Sequence, residues 1–208
     1  MASDPLSILF GSPARVKLLR FFLFNPTKEF TFDDISRRAK LVRRTARTEM
    51  NALERADIIR SKQVYQQLEG RTKRSRVLAY ALNTDFAELQ ALQTFLFDTA
   101  PINGKTLLKH LRKAGPIDFV CIAGVFIREF EQRLDVLMAM KKVSESKIES
   151  AIRSLEAELG IEIRYAVFDS EELKYRVGMY DKLTRDMFDY PHQIIVDKLD
   201  IRNEIRRP

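Results

Sequence analysis

Between residues 31 and 82 the chain carries two short helical patterns followed by a polar hairpin pattern. Thr31 can cap the first helix, and Asp34, three residues later, can complete a capping pair. A short turn leads to a second helix over about Arg43 to Ala56. Its apolar residues recur at intervals of four and three and therefore share one face: Ala46, Met50 and Leu53. This order predicts a helix-turn-helix unit.

The opposite face of the second helix is polar and basic. It carries Arg43, Arg44, Arg47, Thr48 and Asn51. The arginines gather at the N-terminal end of the helix, where positive charge opposes the helix dipole. Helix stability therefore does not explain them, whereas a negatively charged partner would.

A hairpin pattern follows the second helix. Two stretches of strand-like composition, residues 60–65 and 76–82, flank a polar loop that contains Gly70, Arg71, Lys73 and Arg74. Residues 1–82 hold 17 Lys and Arg against 8 Asp and Glu, a net charge of +9, and the remaining residues hold 19 against 21, a net charge of −2. A charged surface that only aids solubility would not concentrate on one motif, so the distribution favours nucleic-acid binding.

The sequence features of this segment are Ile35 and Ala39, Thr45-Ala46, Glu49-Met50, Leu53 and Ala56-Asp57-Ile58-Ile59. With them, the first 82 residues or so resemble the winged helix-turn-helix transcriptional regulators. The chain departs from that family at Val42, where a Ser or Thr cap usually precedes the recognition helix. The resemblance implies that the Arg43–Asn51 face enters the DNA major groove, and that Arg71, Lys73 and Arg74 reach phosphates or the minor groove.

Composition sets further limits on the class of protein. The 208 residues, 45% of them hydrophobic, suffice for one large or two small domains. The single Cys121 excludes a disulfide framework and a cysteine-based zinc site, and its apolar surroundings indicate a packing residue. No targeting pattern and no apolar run of membrane length is present, so a cytoplasmic protein without membrane contact is expected.

An apolar stripe marks a helix predicted from about Asn83 to Thr99. It consists of Phe86, Leu89, Leu92, Phe95 and Leu96. Such a helix can pack on the N-terminal domain, join two domains, or pair with itself in a dimer. Residues 83–101 are therefore taken as a linker helix, with a boundary at Pro101-Ile102-Asn103-Gly104.

Strand and helix patterns alternate after this boundary. Helices are predicted over 107–114, 144–159, 170–177 and 182–188, and strands over 117–123, 133–140, 161–168 and 193–196. This order predicts a small mixed α/β domain over residues 102–199, followed by a basic tail over 200–208 that is expected to fray from Arg202 onwards. The whole chain is expected to be an α/β (α+β) protein.

Two stretches of the second domain, residues 119–128 and 133–138, have the composition of a strand, a glycine turn and a second strand. They resemble the minimal nucleotidyltransferase domains of the DNA polymerase beta superfamily, over about residues 102–199. That resemblance implies a Gly-Ser turn near the nucleotide phosphates and an Asp-x-Asp pair that holds metal ions. Here Gly124 is kept, but Val125 replaces the serine, Arg133 replaces the first aspartate, and Asp135 alone remains. Asp135 is expected to pair with Arg133 or with another nearby base.

These patterns predict a two-domain DNA-binding transcriptional regulator, with double-stranded DNA as partner and a homodimer as the expected assembly. The second domain would be an inactive nucleotidyltransferase-like module for oligomerisation, an unknown protein partner or an anionic effector. No enzymatic activity, metal or cofactor is expected. The alternatives are a nucleotidyltransferase or antitoxin-like enzyme that modifies a partner protein, and a scaffold whose winged helix binds protein.

Overall fold

The computed structural model describes residues 5–67, 74–100 and 102–205 and shows a mixed α/β chain. The chain divides into two compact units, residues 1–100 with 156–161 and residues 101–155 with 162–208. Within the described ranges, no helix combines the length and the apolar character that crossing a membrane requires.

The first unit combines helices with a three-stranded antiparallel sheet. Its elements are α1 (Pro5–Leu9), α2 (Pro13–Leu23), β1 (Phe30–Thr31), α3 (Phe32–Arg38), α4 (Arg43–Arg55), β2 (Ile59–Gln67), β3 (Arg74–Leu82) and α5 (Leu89–Asp98). The strand order is β1-β3-β2. The two helices and the hairpin predicted between residues 31 and 82 are therefore all present.

The starts of α3 and α4 follow from their flanking residues. The Thr31 hydroxyl accepts a hydrogen bond from the Asp34 backbone N–H at 3.2 Å and donates one to the Asp34 carboxylate at 2.7 Å. This caps α3 as predicted, although Asp34 bonds the hydroxyl of Thr31 and not its N–H. α4 begins after Val42, which forms no side-chain cap. The turn between the helices places Lys40 at a φ of +49°.

α5 begins later than the sequence predicts, at Leu89 and not near Asn83. The buried Asn83 donates its amide to the Asp57 carbonyl at 2.7 Å, and its side-chain oxygen accepts from the Asp85 N–H at 3.1 Å, so it stabilises a turn that precedes the helix. Leu89 and Leu92 pack against the core of the first unit, and Leu96 is part of that core. The sequence left three roles open for the apolar stripe of this helix, and the structure shows the first of them, packing on the N-terminal unit.

The second unit is built around a four-stranded mixed sheet. Its elements are α6 (Gly104–Leu111), β4 (Phe119–Ile122), β5 (Val136–Met140), α7 (Glu145–Leu159, of which 145–155 belong to this unit), β6 (Tyr165–Asp169), α8 (Ser170–Gly178), α9 (Lys182–Phe188), β7 (Gln193–Asp197) and α10 (Ile201–Glu204). The strand order is β6-β5-β4-β7. β5 and β6 are parallel, and the other two pairs are antiparallel.

Several boundaries in this unit differ from the sequence prediction. α6 starts three residues early because the Asn103 side chain accepts from the Thr106 N–H and caps it. β5 starts at Val136, and β6 at Tyr165, because the residues just before these strands, Asp135 and Arg164, bond each other, and Asp135 also bonds the turn after β4. The expected fraying is wrong for residues 202–204, which belong to α10, a helix that buries Ile201 completely against the sheet.

Candidate nucleic-acid interface

α4 displays its polar residues on one face and buries the other. Ala46, Met50 and Leu53 are buried, which confirms the predicted apolar face. The five residues predicted for the outer face are all exposed: Arg43, Arg44, Arg47, Thr48 and Asn51. Glu49 is also buried, and its carboxylate accepts from Nε of Arg15 at 2.8 Å. Arg15 thereby neutralises Glu49 on the buried side of α4, and the three arginines leave the outer face basic.

Arg47 is held in place by two aromatic residues. Its guanidinium carbon lies 3.8 Å from the centroid of the Phe32 ring, and its Nη1 donates to the Tyr80 hydroxyl at 3.0 Å. Tyr80 is buried in β3, so its hydroxyl is a fixed acceptor. A guanidinium carries five N–H donors in one plane. One of them is used by Tyr80, and the others remain for a ligand.

Arg43 and Arg44 differ in how far they are neutralised. Arg43 forms an ion pair with Asp33 at the start of α3, and its guanidinium lies 5.0 Å from the Phe32 ring centroid. Arg44 has no ion pair with any residue that the structure describes. Thr48 donates its hydroxyl to the Arg44 carbonyl at 3.1 Å, one turn back along the helix. Arg44 is therefore the least compensated cation of the N-terminal half of this face.

The hairpin extends the same side of the first unit beyond α4. Antiparallel register places Ser61 opposite Tyr80, Gln63 opposite Leu78, and Tyr65 opposite Arg76. Directly opposed residues lie on one face of a sheet, so these pairs share the face from which Tyr80 reaches Arg47. Tyr65 is 71% exposed, and Arg76 is exposed as well.

The structure describes only part of the three hairpin cations that are predicted to contact DNA. Arg71 and Lys73 lie outside the described residues, and of Arg74 only the backbone, at the first position of β3, is described. The sequence prediction did not include four further residues of this surface: Phe32, Tyr65, Arg76 and Tyr80. Tyr65 is separated from Ile59, and Tyr80 from Leu82, by an even number of positions. Alternate residues of a strand lie on the same face, so this spacing could have indicated that both tyrosines lie on the face of Ile59 and Leu82.

In the second unit, Gly124 forms a turn immediately after β4. Its φ is +51°, a left-handed conformation that favours glycine. A Cβ atom on Gly124 would lie 1.9 Å from Oδ1 of Asp135. The turn therefore requires glycine for two reasons, its backbone conformation and the close approach of this carboxylate.

Asp135 is completely buried, and both of its carboxylate oxygens are occupied. Oδ1 accepts from the Val125 N–H and from Nη2 of Arg164, both at 3.0 Å. Oδ2 accepts from the Arg164 N–H at 2.8 Å and from Nε of Arg164 at 3.0 Å. Four donors match the roughly four acceptor sites of a carboxylate, and two of them form a bidentate guanidinium pair. The hydrogen bond with Asp135 raises the pKa of Arg164, so the guanidinium stays charged at neutral pH.

Arg133 takes no part in this arrangement. Its Nη1 lies 3.1 Å from a carboxylate oxygen of Asp186 in α9, and its side chain is largely exposed. Of the two pairings left open for Asp135, the structure contains the one with another base, Arg164. Among the described residues, no group of three or more His, Cys, Asp or Glu side chains is arranged to hold a metal ion.

Cys121 lies inside β4 and is fully buried, as its apolar surroundings predict. Burial raises the pKa of its thiol to about 12. The thiolate is the nucleophilic form of cysteine, and at neutral pH almost none of it is present. Cys121 is therefore a packing residue of the sheet.

Comparison of the chain with models of protein families, with curated proteins and with solved structures gave no match.

Proposed function

We propose that the chain is a DNA-binding transcriptional regulator whose first unit is a winged helix-turn-helix domain. In this proposal α4 enters the major groove of double-stranded DNA, and the β2–β3 hairpin lies along the backbone. The observation that carries the proposal is the division of α4 into a buried apolar face and an exposed face of three arginines, a threonine and an asparagine. The element order α2, β1, α3, α4, β2, β3 supports it, because helix, helix and wing follow one another as in that family.

The chemistry of the exposed face suits DNA. Arginine, threonine and asparagine side chains all bond base edges in the major groove, and arginine also neutralises phosphates. Arg44 carries an uncompensated charge within the described part of the chain, so it is assigned to a phosphate. Thr48 and Asn51 lie further along the same face and are assigned to base edges or the sugar-phosphate backbone.

Arg47 is proposed as the base-reading side chain of α4. Stacking on Phe32 and the bond to Tyr80 fix the plane of its guanidinium before DNA arrives. A fixed plane reduces the entropy lost when the remaining N–H donors bond O6 and N7 of a guanine. Arg47→Ala should then cost about 1–3 kcal/mol on the preferred sequence, and much less on random DNA.

A homodimer is part of the proposal. Regulators of this type commonly bind two half-sites related by the symmetry of the dimer. The exposed apolar residues of the first unit that remain available for such an interface include Ile8 and Leu9 of α1 and Phe95 of α5.

The second unit is proposed to be a nucleotidyltransferase-like module without transferase activity. A two-metal displacement needs carboxylates that are free to hold cations. Asp135 is not free, because it accepts hydrogen bonds from four donors. Arg133 replaces the other aspartate of the Asp-x-Asp pair, and Val125 replaces the serine whose hydroxyl would face the phosphates. We therefore assign this unit to oligomerisation, partner binding or effector binding.

The experiment that tests DNA binding is selection of bound fragments from random duplex DNA by the purified chain. Enrichment of one motif, present as two related half-sites, supports both DNA recognition and the dimer. Arg47→Ala should lose that enrichment. Arg153→Gln, an exposed arginine of α7 paired with Glu149, is the matched control and should keep it. A library that returns no enriched motif would remove the regulator proposal.

The absence of transferase activity is tested separately. The intact chain is incubated with labelled nucleoside triphosphates, magnesium or manganese, and candidate acceptor proteins, and the products are examined by mass spectrometry. No labelling is expected. Stoichiometric labelling of an acceptor by the wild-type chain would favour the alternative, an enzyme that modifies a partner.

A further inference from the structure

A large cavity opens in the second unit among α8, α9, the start of β7 and α10. Its volume is about 860 Å³, which falls in the range of small-molecule sites. The turn residues Gly124, Val125, Arg133 and Asp135 do not line it. The cavity is therefore separate from the degenerate nucleotidyltransferase turn.

Three cations face this cavity: Lys174, Arg185 and Arg202. Asp189 and Glu204 are the acidic residues of its wall, so the cations outnumber the anions. Existing pairs neutralise the cations only weakly. Nε of Arg185 lies 3.4 Å from Asp189, and both side chains are more than half exposed. Arg202 forms no ion pair with any residue in the described ranges, which makes it the strongest attraction for an anion.

Aromatic rings provide the other part of the wall. Tyr180 is 66% exposed, and Phe188 and His192 lie with their ring centroids 5.5 Å apart. Nδ1 of His192 lies 2.8 Å from the Tyr190 carbonyl oxygen. A carbonyl can only accept, so Nδ1 carries a proton and the ring is held in place by this bond. The cavity thus combines flat apolar surfaces with an excess of cations.

We propose that this cavity binds a small organic anion that carries a planar apolar body and one carboxylate or phosphate group. Arg202 and Arg185 bind the anionic group, and Tyr180, Phe188 and His192 contact the body. The proposal gives a site and a chemical class to the effector-binding role suggested above for the second unit. It does not require that the first unit binds DNA, so the two proposals fail independently.

The test is isothermal titration of the full chain with three probes of one shape: 2-naphthoate, 2-naphthyl phosphate and the neutral 2-naphthamide. At least one anion should bind, and the amide should bind at least about tenfold more weakly, because hydrogen bonds to charged groups are the stronger ones. The preference between the two anions identifies the carboxylate or the phosphate class. Absence of binding by both anions at millimolar concentration, or equal binding of the amide, would overturn the proposal.

Variants locate the binding site. Arg202→Gln should lower the affinity for the anion that binds more tightly by about tenfold. The control Arg153→Gln, at an exposed position of α7, should leave this affinity unchanged. Tyr180→Asn removes the aromatic ring and should lower the affinity for both anions. Asparagine is chosen because it tolerates the φ of +53° at this position. If Arg202→Gln and Arg153→Gln change the affinity equally, the anion binds elsewhere and the assignment to this cavity is wrong.

Discussion

The outer face of α4 and the Gly124–Asp135 turn contain similar residue types and use them in opposite ways. On α4, arginines stand exposed, and the one buried acid of that helix, Glu49, is neutralised from the far side by Arg15. At the turn, the carboxylate of Asp135 is buried and receives four hydrogen bonds, two of them from the guanidinium of Arg164. The first region keeps its charge available to a partner. The second satisfies its charge within the fold.

The difference shows that residue identity alone does not define a site. Asp135 stands where the nucleotidyltransferase resemblance expects a metal ligand, yet its acceptor positions are occupied by protein donors. Arg44 stands where the winged-helix resemblance expects a DNA contact, and its charge is uncompensated among the described residues. Availability of the charged atoms, set by burial and by hydrogen bonds, separates a structural pair from a binding surface.

The largest expected effect is on stability at the turn. Asp135→Ala should lower the free energy of unfolding by about 2–4 kcal/mol, because it leaves the backbone N–H groups of Val125 and Arg164 without their acceptor, while water can still reach the Arg164 guanidinium, which is 44% exposed. Arg133→Ala, which breaks the more exposed pair with Asp186, should cost less than about 1 kcal/mol. Urea unfolding of the full chain, followed by circular dichroism, measures both. Equal losses for the two variants would mean that the turn is not closed by Asp135.

A smaller effect is expected on α4, where the charges face outward. Arg44→Gln should leave the unfolding midpoint nearly unchanged, because no ion pair among the described residues is lost. Its affinity for duplex DNA should fall by about the same factor on preferred and random sequences, since phosphates carry no base information. Fluorescence anisotropy with both kinds of duplex checks this. A loss confined to the preferred sequence would reassign Arg44 to base contact.

The contribution of the Tyr80 hydroxyl to DNA recognition can be measured without changing Arg47. Tyr80→Phe removes only the hydroxyl that accepts from Arg47, and it should cost about 1 kcal/mol of stability or less. If the fixed guanidinium reads a base, Tyr80→Phe should reduce discrimination between preferred and random DNA. Tyr175→Phe, which removes the hydroxyl of an exposed tyrosine on α8 of the second unit, is the control and should leave discrimination unchanged. Unchanged discrimination in Tyr80→Phe would show that this bond serves only the fold.

The smallest effect concerns an exposed pair of the first unit. The hydrogen bond from Arg60 holds the pKa of Asp57 below its ordinary value of 3.8. A carboxyl with a lowered folded-state pKa contributes stability above its unfolded pKa and loses it as the pH falls through the folded value. Because Asp57 is exposed, the decrease in melting temperature on acidification should be only slightly smaller in Asp57→Asn than in the wild type. A large difference would mean that this surface pair contributes as a buried one does.

The sequence predicted elements better than it predicted contacts. Periodicity and the Thr31 cap identified α3 and α4 nearly to the residue, because both signals are local. The pairing of Asp135 with Arg164 joins residues 29 positions apart, and the Tyr80 bond to Arg47 joins residues 33 apart. Neither follows from local spacing. The late start of α5 has the same cause, since Asn83 bonds the distant Asp57 carbonyl and does not cap the helix.

The central claim is that the exposed cations of α4 bind DNA, and the salt dependence of duplex binding tests this claim most directly. Each phosphate contacted by a cation should contribute about −0.9 to the slope of log affinity against log salt concentration. We predict a steep slope for the wild-type chain, lower in magnitude by about 0.9 in Arg44→Gln and unchanged in Arg153→Gln. A flat slope, or no binding of duplex DNA at low salt, would contradict the account.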